Sequence, residues 1–240
     1  MTKPADLIAY LFEKPRRETT PLSNSLLAWM DSSPAFTGFV DAYRDKIRKK
    51  IRVTSEPGPL LDLLNELEIA SRLLADRRFA LVYEPYASEK RRGADFSVSY
   101  RVNTVFNLEA ARLREEEPGA ALRPAEDRIT RVTLGKLSQM QPGMPNLLAI
   151  QARADQSQPV DLAALMQGVK LRADARDPAF YAATRYASTA DLYKAFNRLN
   201  GIFLWSPGEP PGQLWVNRQA RPEIDEKVLR LVAGLVSGPG

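Results

Sequence analysis

Hydrophobic spacing along this chain changes period several times, and each change predicts an element. Residues 1–56 read as two or three helices broken at Pro21 and Pro34. Over 36–50, Phe36, Phe39, Val40, Tyr43 and Ile47 recur at the three-to-four-residue interval of a helix face. The turn-forming "EPGP" at 56–59 ends that stretch. A long helix over 59–76 follows, its wide apolar stripe running from Leu60 through Leu67 to Leu74. "FALVYEP" (79–85), a short apolar run between charges, predicts a buried strand. Two more strands follow over about 94–100 and 104–113, then a helix over 124–140 after Pro124 and a buried strand at "NLLAIQA" (146–152). A helix over 160–172 and further helical turns lead to strands at 201–205 and 213–217, joined by "SPGEPPGQ". A last helix over 222–233 ends before "SGPG". The mixture is α/β. The break at 56–59 predicts an N-terminal helical extension over 1–56 and an α/β domain over 57–240, with no internal repeat.

Composition narrows the chemistry more than it narrows the fold. The chain has 240 residues, 44% of them hydrophobic and 26% charged, enough apolar material for a substantial core. No stretch approaches the length of a membrane span, and the first apolar run contains an acid and lacks a small-residue cleavage site. We therefore expect a cytoplasmic protein with no membrane partner. The absence of cysteine excludes disulfides and thiolate chemistry. The absence of histidine excludes serine–histidine triads and the common transition-metal ligands. Any metal site must be built from oxygen, which selects Mg²⁺, Mn²⁺ or Ca²⁺. No glycine pattern for phosphates or dinucleotides is present, so no nucleotide cofactor is expected. The formal charge of +5 is compatible with a polyanionic partner without requiring one.

The candidate chemistry lies in "GADFSVSYRVNTVFNLEAARLR" (93–114). Folded as a hairpin around Arg101–Val102–Asn103, with Asn103 taking the left-handed position, it opposes residues whose numbers sum to 204. Phe96 then faces Leu108 and Val98 faces Phe106 on an apolar side; Ser97 faces Asn107 and Asp95 faces Glu109 on a polar side open to solvent. Opposed carboxylates in such a register sit about 4.5–5.5 Å apart at Cβ and repel. A cation between them relieves that repulsion: either a divalent ion, or an arginine such as Arg92 or Arg114.

Helix, strand, a hairpin carrying Asp and then Glu, helix, strand: in its order and residues the stretch 59–152 resembles the PD-(D/E)xK nuclease superfamily. The resemblance implies a restriction-endonuclease-like mixed sheet flanked by helices, and hydrolysis of phosphodiester bonds in nucleic acid, DNA in the first instance. It implies Mg²⁺ or Mn²⁺ as cofactor, held by Asp95 in "GADFSV" and Glu109 in "FNLEAA", with a carboxylate from the preceding helix, Glu66 or alternatively Glu68 in "LNELEIASRLL". The family's lysine, which positions or polarises the attacking water, falls at position 111, where this chain has Ala111. Lys136 on the following helix and Lys90 before the hairpin are the candidates to replace it; Arg112 should point to the opposite face of its strand. If neither lysine reaches in, the implied alternative is a catalytically degenerate module that binds nucleic acid or a protein partner.

Two basic stretches bear on the partner. "SEKRRG" (88–93) leads into Asp95 and offers Lys90, Arg91 and Arg92 as phosphate contacts, or forms a charged loop. "YRDKIRKKIR" (43–52) is a second candidate for backbone contact, or a solvated helix face. Trp205 and Trp215 are read as core residues.

Overall fold

The computed structural model describes residues 2–13, 16–53, 56–87, 93–114, 124–152, 160–209 and 212–238. The N-terminal stretch forms α1 (Pro4–Leu11), α2 (Thr20–Ser32) and α3 (Pro34–Val53). Pro21 and Pro34 lie in the first turns of α2 and α3, where a missing backbone N–H costs no helical hydrogen bond. Next come α4 (Pro57–Leu74), β1 (Phe79–Tyr83), β2 (Phe96–Tyr100), β3 (Thr104–Arg112), α5 (Ala125–Lys136) and β4 (Asn146–Gln151). The chain ends with α6 (Leu162–Asp174), α7 (Pro178–Ala182), α8 (Thr189–Phe196), β5 (Leu199–Trp205), β6 (Leu214–Val216) and α9 (Glu226–Ser237). The last helix begins later than the 222–233 span expected from hydrophobicity, because Asp225 caps it by accepting the Lys227 amide at 2.8 Å.

Six strands form one mixed sheet in sequential order. β1, β2 and β3 are an antiparallel meander, β3, β4 and β5 run parallel, and β6 returns antiparallel along β5. The expected buried strand at 79–85 is instead an edge strand with Val82 half exposed, because the meander places it outermost. The hairpin register agrees with the sum of 204 from Phe96↔Leu108 to Tyr100↔Thr104. The left-handed residue in its turn is Arg101 (φ 52°) and not Asn103. The Arg101 amide is taken by the Arg78 carbonyl at 2.8 Å and its guanidinium lies over the Tyr100 ring, which holds the chain in that conformation.

Helices cover both faces of the sheet. On one side Phe96, Val98, Phe106, Leu108, Ala110 and Leu147 pack against α1–α4 and α9 in one continuous core. On the other, Ala111, Leu113, Leu148, Ile150 and Ile202 pack against α5–α8. That second layer corrects the expectation of a face open to solvent. Asn107 and Glu109 point toward it and are buried, at 0% and 1% exposure. Burial of an amide requires hydrogen-bond partners, and Asn107 has them: it donates to Asn146 Oδ1 and accepts from the Tyr86 hydroxyl, both at 3.1 Å. Trp205 is fully buried, and half-buried Trp215 packs edge-on against Phe196, in agreement with the core reading. No helix among the described residues is long and apolar enough to cross a membrane.

Candidate active site

The site forms where β3 outruns its hairpin partner. Pairing with β2 stops at Leu108, and Glu109–Arg112 continue along β4 alone, leaving the backbone on the β2 side unpaired by any strand. Asp95, just ahead of β2, fills that gap with its side chain: Oδ2 accepts the Ala110 amide at 2.8 Å, while the Asp95 carbonyl accepts the Glu84 amide at 2.7 Å. Splaying of the two strands thus brings the Asp95 carboxylate beside Glu109. Both sequence-predicted acids meet.

The cation at this point is a lysine and not an arginine. Lys136, in the last turn of α5, donates to Glu109 Oε1, with side-chain exposures of 29% for Lys136 and 2% for Glu109. Glu109 Oε2 is buried with no hydrogen-bond partner among the described residues. Of the arginines that could have separated the acids, Arg114 turns away to Asp62 on α4, and Arg92 lies outside the described residues. Lys90 and Arg91 also lie outside them. Arg112 points to the α4 side, as strand alternation requires, and pairs with Asp62 at 3.3 Å.

Glu66 rather than Glu68 is the helical acid of the site. Glu68 is engaged by Arg72 at 2.8 Å, whereas Glu66 and Asp95 border one cavity together with Lys136. Asn65 ties α4 to this end of β3 by donating to the Ala111 carbonyl at 3.2 Å. Behind Glu66 stands a group of residues whose role the sequence did not reveal. Lys50 of α3 contacts Glu66 Oε2 at 2.7 Å and Glu84 at 2.9 Å, and the Tyr83 hydroxyl donates to the same Glu66 oxygen. Lys50 stood inside the basic run 43–52, but nothing in that run distinguished it from its neighbours. The rest of the run is largely spent on ion pairs within the protein. Arg44 pairs with Asp41, Arg48 and Arg52 both reach Glu13, and Lys46 lies 3.8 Å from Glu84.

Electrostatics reflect this crowding. Burial, followed by the charges of Glu109 and Glu66, holds the Asp95 carboxyl well above the usual carboxylate range, against the opposing pull of Lys136 and the Ala110 amide. Burial raises Glu109 as well, with Lys136 resisting. Burial acts to depress Lys136, but Glu109, Asp95 and Glu66 outweigh it, so its ammonium is held above the ordinary lysine value. Lys50 follows the same logic, burial being outweighed by Glu66 and Glu84. Tyr83 is raised by burial and by Glu66 and stays protonated, as its donation to Glu66 requires.

The cavity in front of these groups measures about 570 Å³, within the range of small-ligand sites. Its lining includes the acids Glu66, Asp95 and Asp62, the last paired with Arg112 and Arg114, and the cations Lys136 and, from α5, Arg128 and Arg131. Arg128 and Arg131 recur at one helical turn with Gly135 and Lys136 following, a spacing that marks one face of α5 and was readable in "RITRVTLGK".

Among the described residues no three acids lie close enough to bind a metal ion unaided. Two carboxylates with raised proton affinity and one unpartnered oxygen, Glu109 Oε2, nevertheless fit a hard ion that takes one or two protein carboxylates and completes its coordination with water and phosphate. No family model, curated protein or solved structure matches the chain.

Proposed function

We propose that the chain is a metal-dependent phosphodiesterase of the PD-(D/E)xK kind, acting on nucleic acid. The observation that carries this reading is that Lys136, which contacts buried Glu109, lines one cavity together with Asp95 and Glu66. The order α4–β1–β2–β3–α5–β4, with a meander joined in parallel to β4, supports a restriction-endonuclease-like arrangement. Mg²⁺ or Mn²⁺ held by Asp95 and Glu109 would supply a Lewis acid and charge neutralisation at the scissile phosphate. Lys136, kept protonated, orients the attacking water and donates to the phosphate oxygen on which charge develops. Glu66, held through one oxygen by Lys50 and Tyr83, lines the cavity and would serve there as a proton acceptor. Arg128 and Arg131 of α5 would seat flanking phosphates, an interaction that gives affinity without reading sequence.

Ala111 alone argues for a degenerate binding module; Lys136 reaching Glu109 from α5 supports an active one, in which it would take the part of the missing motif lysine. The test is incubation with circular single-stranded DNA and with supercoiled plasmid in Mg²⁺ and in Mn²⁺. Cleavage lost on adding EDTA and in Asp95→Asn is the expected result. Intact substrate under every condition, from folded protein, would overturn the reading.

A further inference from the structure

A second cavity of about 520 Å³ lies on the other side of α5, lined by Arg131, Gly135, Arg172, Phe180 and Arg185 among others. Arg131 and Gly135 line both cavities, so the two meet across this helix. A Cβ built at Gly135 would touch nothing within 4 Å, so the crossing point is open. Arg131 is exposed and has no acidic partner among the described residues. Exposed Arg185 likewise has none among them, its guanidinium donating to the Ser138 hydroxyl at 2.6 Å. Arg172 pairs with Asp177 at 2.8 Å, and among the described residues Asp127 is the one acid on the cavity wall.

We infer that this second cavity is a binding subsite for the nucleic-acid strand, and that the substrate is single-stranded, crossing α5 at Gly135 with successive phosphates at Arg131 and Arg185. The inference rests on the phosphodiesterase reading of the first cavity. Each cavity has the volume of a nucleotide-sized ligand site, and two such sites joined over a bare glycine suit one strand; a duplex is too broad to enter either. Phe180, the aromatic residue that lines the second cavity among the described residues, is 3% exposed and cannot offer a face for base stacking. Recognition there is through the backbone, tolerant of sequence and sensitive to salt.

Binding in EDTA, where nothing is hydrolysed, tests the subsite apart from the chemistry. A fluorescein-labelled 15-nucleotide single strand is titrated with the full-length protein and followed by anisotropy across a salt series. Arg185→Glu and Arg131→Glu should each weaken binding about tenfold or more. Each should also lower the slope of log affinity against log salt by roughly 0.7, the share of one phosphate on a single strand. Gly135→Phe, which blocks the crossing and leaves every charge in place, should weaken binding comparably, and the duplex of the same sequence should bind more weakly than the single strand. Lys227→Glu, at an exposed position of α9 that lines neither cavity, controls for net charge. Affinity in Arg185→Glu equal to that in Lys227→Glu, or tighter binding of duplex, overturns the proposal. Those results with metal-dependent cleavage intact refute the subsite alone, whereas tight strand binding without cleavage in metal refutes the phosphodiesterase reading.

Discussion

Replacing Lys136 with Met removes the cation that touches Glu109 and leaves most of the stem volume in place. Glu109 is 2% exposed at its side chain, so the charge left behind is buried beside Asp95 and near Glu66. Removing one partner of a buried pair costs about 3–5 kcal/mol. Lys136 is 29% exposed, so water partly replaces it, and the lower end of that range is the expectation. At about 3 kcal/mol, a chain of this size loses roughly 6–12 °C in melting temperature. The loss depends on pH in a fixed direction. Without Lys136, burial and the neighbouring acids hold the Glu109 proton more tightly in the folded than in the unfolded protein. The folded state therefore binds more protons, and stability falls as pH rises from the unfolded glutamate value near ~4.3 through the raised folded one. The deficit relative to wild type should be widest at about pH 8 and mostly gone near about pH 4.5. Thermal and urea unfolding in EDTA across that range measure it. Glu109→Gln combined with Lys136→Met should recover at least half of the loss, since no charge is then left buried. A single-mutant deficit below about 1 kcal/mol at pH 8, or one unchanged by pH, would refute the ion pair as described.

Asp95→Asn keeps an oxygen for the Ala110 amide and removes a carboxyl whose proton is held more tightly in the folded than in the unfolded protein, so the stability of the metal-free variant relative to wild type should be greater at pH 8 than at pH 4. Melting curves at the two pH values decide it, and a difference that did not rise with pH would count against the crowding of acids. Wild type with Mg²⁺ at about 100 times its dissociation constant should gain about 2.7 kcal/mol, and Glu109→Gln should show little of that gain. Isothermal titration of both proteins with Mn²⁺ is the independent check. Tyr83→Phe removes a buried hydroxyl that donates to Glu66 and should cost about 1.5 kcal/mol in urea unfolding, with Lys50 still holding the carboxylate; no change would mean the bond contributes nothing.

What the sequence disclosed follows periodicity and local repulsion. Alternation in 96–108 set the hairpin register, because a one-residue slip would have turned Phe96, Val98, Phe106 and Leu108 out of the core. That register pointed to Asp95 and Glu109 as neighbours, but both lie beyond its last pair, Phe96↔Leu108, and it is the splaying of the strands, with Asp95 taking the Ala110 amide, that brings them together. It could not reveal that the polar face is covered. α5–α8 pack there through residues far apart in the chain, and Asn107 is satisfied by Tyr86 and Asn146, from two different segments. Lys50 shows the same limit. Nothing local separates it from Lys46 or Arg48; its part in the site depends on α3 crossing α4 at Glu66. The late start of α9 reflects a cap, Asp225, overruling the apolar pattern. The turn conformation at Arg101 reflects a backbone hydrogen bond to Arg78, again distant in sequence.

The central claim is that Lys136 does from α5 the work of a lysine at position 111. The direct measurement is the rate of Mn²⁺-dependent cleavage of circular single-stranded DNA by wild type, Lys136→Ala, and Lys136→Ala combined with Ala111→Lys, each confirmed folded at the assay temperature. Residue 111 lies on the same strand face as Glu109, so a lysine there reaches the same carboxylate from β3. Loss of one electrostatic donor to the transition state predicts a fall of about 10²–10³-fold in Lys136→Ala, with at least a tenth of the wild-type rate restored in the double variant. Undiminished cleavage by Lys136→Ala would contradict the account.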